Sequence, residues 1–404
     1  MKRTSALQES SIYLGLVFDY QASQFTSTVK QAAGGGGLLT QSAGVPIKQI
    51  RASAYTIPTN FPESDGTLEW NSTTLVLVEA QAGDEIGIGY TYADSATCGL
   101  IRGLLSKVLV GCDAMAITAC WTAMVACTRN LGRPGIVAMA ISAVDSALWD
   151  LKARILRLPL VTLLGAIRDS VPIYGSGGFT SYSTKSLQEQ LGRWVDAGIP
   201  RVKMKVGRDA GADLDRVRAA RQAIGPGTEL FVDANGAYSC KQALQQAEHF
   251  DEANVKWFEE PVSSDDLTGL RLLRDRVPAG IEIAAGEYGY EIGYFKRMLA
   301  SGAVDVLQAD ATRCSGITGF LQVAALCDAY HIPLSAHTAP ALHTHIGCAV
   351  SPLRHIEYFH DHVRIEEMLF EGIRPPINGR LWPDLSRPGM GLELKQADIQ
   401  RFAA

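Results

Sequence analysis

Between residues 202 and 357 the chain repeats one pattern, a short β-branched or apolar run that ends in residues able to carry charge. The runs close as Val202-Lys203-Met204-Lys205, Phe231-Val232-Asp233-Ala234-Asn235, Trp257-Phe258-Glu259-Glu260-Pro261, Ala284-Ala285-Gly286-Glu287, Leu307-Gln308-Ala309-Asp310, Ser335-Ala336-His337 and His355-Ile356-Glu357. Asp233, Glu259 and Glu287 are three carboxylates in the same phase. Crowded together without a cation they would repel and raise one another's pKa. A hard divalent ion resolves the conflict, and oxygen-only donors with room for water and substrate suit Mg²⁺. Pairing with Lys or Arg on a rim would explain any one of them, but not three in register.

Lys203 and Lys205 stand two apart, so on a strand both face the same way. Two inward lysines are costly unless compensated. Crowding between them and a nearby metal would lower the pKa of one, making a usable base. Asp310 and His337 close successive runs, and a carboxylate beside an imidazole fixes its tautomer and raises its basicity. His343, His345, His355, His360 and His362 crowd the same region and read as satisfied core histidines; no HExxH supports a zinc site. Two bases flanking a metal-bound carboxylate substrate suit removal of the proton next to that carboxylate, with the ion stabilising the enediolate. Glu357, if protonated, could donate a hydrogen bond to the substrate's other carboxylate oxygen.

The elements that must position these groups follow from the same beat. Runs begin near Val171, Val202, Leu230, Val255, Ile281, Val304, Ile332 and His355, with helical stretches such as 209–224 and 316–329 between them. Eight strands alternating with helices predict an α/β fold of the β/α-barrel kind, with its chemistry at the C-terminal strand ends. A doubly wound open sheet is the rival, but no GxGxxG follows the first strand to support it. Upstream, 47–57 reads as a strand and 73–82 with 85–92 as a hairpin around Gly83-Asp84. Helices follow over roughly 95–110, 114–130 and 135–156, which makes an α+β domain. The tail, rich in Pro and Gly and then helical, is expected to return to that domain. The expected division is an extension over 1–44, a capping domain over 45–165, a barrel over 166–371 and a returning segment over 372–404.

Composition bounds the rest. The chain has 404 residues, 47% hydrophobic and 20% charged, with a net charge of −5. This length suggests two domains, and the composition is that of a folded protein rather than a disordered or fibrous one. No basic surplus exists to grip nucleic acid, and no apolar run approaches a membrane span. Eight cysteines without a CxxC pair read as reduced thiols, the pattern of a cytoplasmic protein. Lys2, Arg3 and a short apolar stretch at 12–18 precede Phe18-Asp19-Tyr20 rather than a small-residue cleavage site, so no export signal is expected.

With these residues in hand, the chain resembles the enolase superfamily, and specifically its mandelate racemase subgroup, over about residues 46–400. Sites of that superfamily are a known example of a Lys or His base working with Mg²⁺. Lys203-Met204-Lys205 is similar to the family's KxK motif, whose second lysine is the base and whose first helps bind the substrate carboxylate. Asp233, Glu259 and Glu287 match the metal ligands, Asp310 and His337 the Asp–His dyad, and Glu357 the general-acid glutamate. Asn235 and Glu260 match positions that commonly back the ligands. The resemblance implies a modified (β/α)7β TIM barrel, with a cap built from the N-terminal and C-terminal segments. It also implies an Mg²⁺ cofactor, a small carboxylate substrate and a homo-oligomer.

The family shares its first step and then diverges. Reprotonation on the opposite face gives a racemase or epimerase of a 2-hydroxy acid. Loss of a β-hydroxyl with help from a general acid gives a sugar-acid dehydratase making a 2-keto-3-deoxy acid. Two segments of the cap are expected to be polar loops over the barrel mouth, Phe61–Trp70 and Tyr90–Ser95, and a polar lid fits a polyol better than a phenyl ring. Dehydration is therefore the favoured expectation. Metal-assisted hydrolysis would use the same carboxylates but leave the lysine pair and the Asp–His pair unexplained. An inactive binding relative would be expected to lack a base or a ligand.

Overall fold

The structure is a computed structural model and describes residues 44–404; the expected extension lies outside the described residues save for Gly44. Eight parallel strands run in the order β4 (Val171–Gly177), β5 (Arg201–Lys205), β6 (Glu229–Asp233), β7 (Val255–Glu259), β8 (Glu282–Ala285), β9 (Val306–Ala309), β10 (Leu334–Ala336) and β11 (Leu353–Phe359). β11 pairs in parallel with β4, so the sheet closes into a barrel and no open-sheet edge remains between them. A helix fills each interval from Thr184–Asp196 to Pro340–Gly347, the (β/α)7β alternation the sequence implied. His360–Leu369 follows the last strand.

Strand alternation separates two environments. Val202, Met204, Leu230 and Val232 belong to the main core between strands and helices. Tyr174, Phe231, Trp257, Ala284 and Val306 form a separate buried cluster, where Phe231 stacks on Trp257 at 5.3 Å and Tyr174 meets Phe231 edge-on at 5.4 Å. Two residues beyond Phe231 and Trp257 come Asp233 and Glu259. The register sets Phe231 opposite Trp257 and Asp233 opposite Glu259, with Lys205 opposite Asp233 on the other side. An aromatic floor therefore lies one rung below a charged ring. Each large floor side chain contributes about 1.5–3 kcal/mol by leaving water.

The cap begins with an antiparallel sheet, β1 (Ile47–Ser64), β2 (Glu69–Ala82) and β3 (Glu85–Tyr92). β1 runs well past the expected 57, and most of the presumed loop 61–70 is strand, with a turn of only four residues, 65–68. A register irregularity between Pro58 and Glu63 bends this ribbon; bulges do so because an unpaired residue raises local twist. The bent tip rests on the barrel. A Cβ on Gly66 would lie 2.5 Å from Ala234 O and 2.8 Å from Val206 O, so only glycine allows that approach. Thr180 N donates to Ser64 O at 2.8 Å beside it.

Helix Ile136–Ile155 packs on the other cap elements and on the barrel. Its fully buried Asp145 accepts from Thr318 N at 2.9 Å and Thr318 Oγ1 at 2.7 Å, at the start of helix Gly316–Tyr330, where a carboxylate suits the helix dipole. In the tail, Arg380–Leu381 pairs with the barrel strand β4, and Ala404 N donates to Ala54 O of the cap at 3.0 Å. All eight cysteines are free thiols. Among the described residues no helix is long and apolar enough to cross a membrane.

Candidate active site

Asp233 and Glu259 are the last residues of β6 and β7, and Glu287 lies two beyond β8. All three are buried, and one oxygen from each falls within 4.8 Å of the others. The chain turns sharply after these strands. Asn235, Glu260, Thr338 and Ala339 all take positive φ (46°, 37°, 50° and 40°), a costly region for non-glycine residues that recurs at functional sites. Asn235 N donates to Asp233 Oδ1 at 3.0 Å. Glu287 Oε2, Asn235 Oδ1 and Glu260 Oε1 are buried without a hydrogen-bond partner. Buried acceptors without donors are expensive, and a hard cation with its water shell is the group this oxygen-only set fits.

Lys203 is wholly enclosed. Its Nζ lies 2.5 Å from Glu259 Oε1, 2.9 Å from Glu357 Oε1 and 3.2 Å from Asp233 Oδ2, and 5.4 Å above the Tyr174 ring. Burial acts to lower its pKa, but Glu259 and Glu357 outweigh it and the net shift is well upward. Lys205 Nζ donates to Asp233 Oδ2 at 2.6 Å. The expected lowering of Lys205 is not what this arrangement produces. Burial does favour the neutral amine, but Asp233, and behind it Glu287 and Glu259, hold the proton on, and the pKa is raised. Metal charge on those same carboxylates is what would release it.

The carboxylates answer in kind. Burial would raise Asp233, but Lys205 and Lys203 drive it below the usual carboxylate range. Glu259 is pushed well up by burial and then by Asp233, with Lys203 offsetting only part. Glu260 rises for the same reasons, burial first and then Glu287.

On the far side of the ring, His337 Nδ1 lies 2.9 Å from Asp310 Oδ2. Thr312 N donates to Asp310 Oδ1 at 2.7 Å. Burial would raise the Asp310 pKa, yet the hydrogen bond and charge of His337 carry it below the ordinary range. The ionised carboxylate fixes Nδ1 as the donor and leaves Nε2 facing inward, 3.4 Å from Glu287 Oε2 and 3.7 Å from Glu357 Oε2.

Glu357 can donate only if protonated, and its neighbours favour the ionised form. Burial favours the acid, but Lys203, and then His337, hold its pKa down to about 2. It accepts from Ser176 Oγ at 2.6 Å.

Of the other histidines crowding this region, His343, His345 and His355 are buried in the core, although His345 Nδ1 and His355 Nε2 find no hydrogen-bond partner. Ala311 N donates to His343 Nε2 at 2.9 Å, while His343 Nδ1 lies 2.8 Å from Thr338 O. His355 Nδ1 meets Ser335 Oγ at 2.9 Å, and His345 Nε2 meets Met390 O at 3.1 Å. His360 lies against the Phe179 ring, 6.4 Å between centroids. His362 does more than fill space, since it stacks on Tyr92 at 3.4 Å and lines the cavity above the site.

That cavity, about 470 Å³, lies between barrel and cap. Lys205, Glu287, His337, Glu357 and Arg313 line it from below, and Asp65, Trp70, Thr73, Tyr92 and Asp94 from above. The lid is therefore not the simply polar loop the sequence suggested; Leu68, Trp70 and Tyr92 give it apolar and aromatic walls. Arg313 escaped the sequence reading. Its Nη1 lies 3.4 Å from Glu287 Oε1 and its Nε 3.7 Å from Asp310 Oδ2, so one guanidinium spans a metal-type ligand and the dyad. The readable signal was a cation three residues past a strand-end carboxylate. The two lid segments could be picked out, but not which of their side chains face the cavity, because their strands lie far from the barrel residues along the chain.

A parallel barrel whose C-terminal strand ends gather an oxygen triad, two lysines and an Asp–His pair under a separate cap is the architecture of a metal-assisted enolising enzyme. Two family models match the chain, the mandelate racemase/muconate lactonizing enzyme N-terminal domain over residues 51–165 and the enolase C-terminal domain-like family over 186–398. The chain belongs to the mandelate racemase subgroup of the enolase superfamily. Among solved structures, a mandelate racemase/muconate lactonizing enzyme-like protein from Rubrobacter xylanophilus is 56% identical with a TM-score of 0.87, covering 89% of this chain and 100% of that one. L-talarate/galactarate dehydratase from Salmonella typhimurium, solved with Mg and L-lyxarohydroxamate, is 28% identical with a TM-score of 0.82, covering 91% of this chain and 95% of that one. The 3,6-anhydro-alpha-L-galactonate cycloisomerase of Streptomyces coelicolor is 32% identical over 326 residues, 78% of this chain and 88% of that protein. Magnesium is the cofactor: related structures hold it, and the buried triad supplies oxygen donors suited to it.

Proposed function

We propose that this protein removes the α-proton of a sugar acid and expels the β-hydroxyl, giving a 2-keto-3-deoxy acid. One observation carries the α-proton chemistry. The two candidate bases each rest on a different carboxylate of the triad, Lys205 on Asp233 and His337 on Glu287, so a substrate carboxylate bound at the triad has a base on either flank. Asp233, Glu259 and Glu287 would hold magnesium, which supplies the positive charge that stabilises an enediolate.

The chain's own groups do the rest. Lys205 Nζ takes the proton when C2 presents it on that side. His337 Nε2, its ring oriented by Asp310, delivers a proton to the departing β-oxygen, and general acid catalysis of this kind is worth about 10²–10⁴-fold. For the opposite C2 configuration the roles exchange. Glu357 and Lys203 form an ion pair beneath the site that keeps the ring's charge balanced, and Asn235 and Glu260 back the metal ligands. The cap covers the site from above. The names of the relatives favour elimination over inversion, since they include dehydratases of sugar acids.

Racemisation or epimerisation is the second reading, and the opposed bases are what favour it. The test is incubation of the magnesium enzyme with sugar acids in D₂O. α-Deuterium together with a 2-keto product is expected. Deuterium with inverted C2 and no keto acid would select the second reading. No deuterium in any sugar acid or 2-hydroxy acid would overturn both.

A further inference from the structure

The reach of the cavity away from the metal-type ligands decides what the other end of the substrate can be. Relatives in this subgroup are named for substrates of two kinds, monocarboxylic (arabinonate) and dicarboxylic (galactarate). The two differ at one atom group. The far end of the chain is a neutral hydroxymethyl or methyl group in the first and an anion in the second.

From the charges lining the cavity we infer that this enzyme takes a monocarboxylic sugar acid with a neutral far end, and discriminates against sugar diacids; the inference rests on the α-proton chemistry proposed above. Among the described residues, the lining groups contributed by the cap include Asp65 and Asp94, and no lysine or arginine. The described lysine and arginine of the lining come from the barrel floor, as Lys205 and Arg313, and both are engaged there, Lys205 by Asp233 and Arg313 by Glu287 and Asp310. His362 does not replace them. Ala339 N donates to its Nδ1 at 3.3 Å, which makes that nitrogen an acceptor and the ring neutral. Burial works in the same direction, pushing its pKa well below the ordinary histidine value.

A substrate whose first carboxylate sits at the triad therefore turns its far end toward carboxylates. Asp65 Oδ1 already accepts from Thr67 N at 2.6 Å and Leu68 N at 2.7 Å, and Asp94 Oδ1 from Ala96 N at 2.8 Å. These local bonds keep both side chains on the lid. Hydroxyl groups can donate to the acceptors that remain. A second carboxylate has no proton to give and meets like charge there, a built-in rejection of the wrong partner. Tyr92 OH, buried and without a partner in the structure, adds a neutral group on a residue of the same lining.

The experiment uses the full-length magnesium enzyme with matched pairs of five- and six-carbon aldonates and aldarates. It reads α-deuterium uptake and kcat/KM. A preference for aldonates of about 100-fold or more is expected, the scale on which a site rejects a group it leaves unpaired. In the Asp65→Asn/Asp94→Asn double variant, where the amide oxygen can keep each lid bond, the preference should fall by about tenfold. Aldarates that exchange deuterium as well as or better than aldonates would overturn the inference and leave the α-proton chemistry standing. A preference unchanged in the double variant would also overturn it. An enzyme that exchanges neither series fails at the reaction itself, and this inference falls with it.

Discussion

Lys203→Met separates the charge balance of the site from its chemistry. The substitution keeps length and volume but deletes a cation held 2.5, 2.9 and 3.2 Å from Glu259, Glu357 and Asp233. At an effective dielectric near 20, each contact corresponds to about 5–7 kcal/mol of raw attraction. Desolvation of the ions offsets most of that, and the measurable loss is that of breaking a buried ion cluster from one side, about 3–5 kcal/mol. For a chain of this size that is a fall in Tm of about 4–6 °C. Added Mg²⁺ should then recover more in the variant than in the wild type, because Lys203 no longer competes for Glu259 and Asp233. A ligand at about 100 times its Kd adds about 2.7 kcal/mol. The assay is thermal unfolding of both proteins, metal-free and across a magnesium titration. A metal-free Tm equal to that of the wild type, or a smaller magnesium increment in the variant, would refute the claim that Lys203 holds these carboxylates together.

Three further outcomes are expected. Lys205→Ala and His337→Ala should each lower kcat by about 10²–10⁴-fold while circular dichroism stays native; wild-type turnover in either would remove that residue from the mechanism. EDTA should abolish turnover and Mg²⁺ restore it, and activity indifferent to chelation would be incompatible with the oxygen triad as the metal site. Glu63 should make stability depend on pH. It is fully buried in the lid ribbon, and burial, then the nearby charge of Asp361, raise its pKa from 4.5 to about 8 against the opposing pull of Trp70 Nε1 and Arg364. The folded protein thus keeps a proton that the unfolded chain releases. The contribution is full below pH 4.5 and is lost as pH rises towards 8. Glu63→Gln should flatten that slope in denaturant titrations, and an unchanged slope would assign it to other groups.

How much of this was legible beforehand follows from the period of each signal. The barrel strands announce themselves because a closed parallel sheet buries both faces: an apolar run is followed at its end by the residue that faces the mouth, and the interval repeats with each β/α unit. Asp233, Glu259, Glu287, Asp310 and His337 could be picked out by that phase alone, and Lys203 with Lys205 by the two-residue alternation of a strand. The same logic explains the readings that needed revision. Residues 61–70 are rich in Pro, Glu, Ser, Asp and Gly, which locally signals a loop; long antiparallel pairing with β2 overrode that preference, as tertiary context does for strands.

Protonation was least legible of all. Linear order says that Glu357 and Lys205 end strands, but it does not say which charge lies within 3 Å of each, and a pKa is set by such neighbours and by burial. Lys203 beside Glu357 favours its ionised form, and Asp233 beside Lys205 favours the protonated amine. Arg313 bridging Glu287 and Asp310, and a lid that brings Asp65 and Asp94 over the same cavity as His337, exist only once the ring closes and the cap folds across it. The residues available for chemistry are thus written along the chain, because strand and helix periods are local. Their charges, and what the far end of the cavity accepts, depend on through-space distances between segments hundreds of residues apart, and folding alone establishes those.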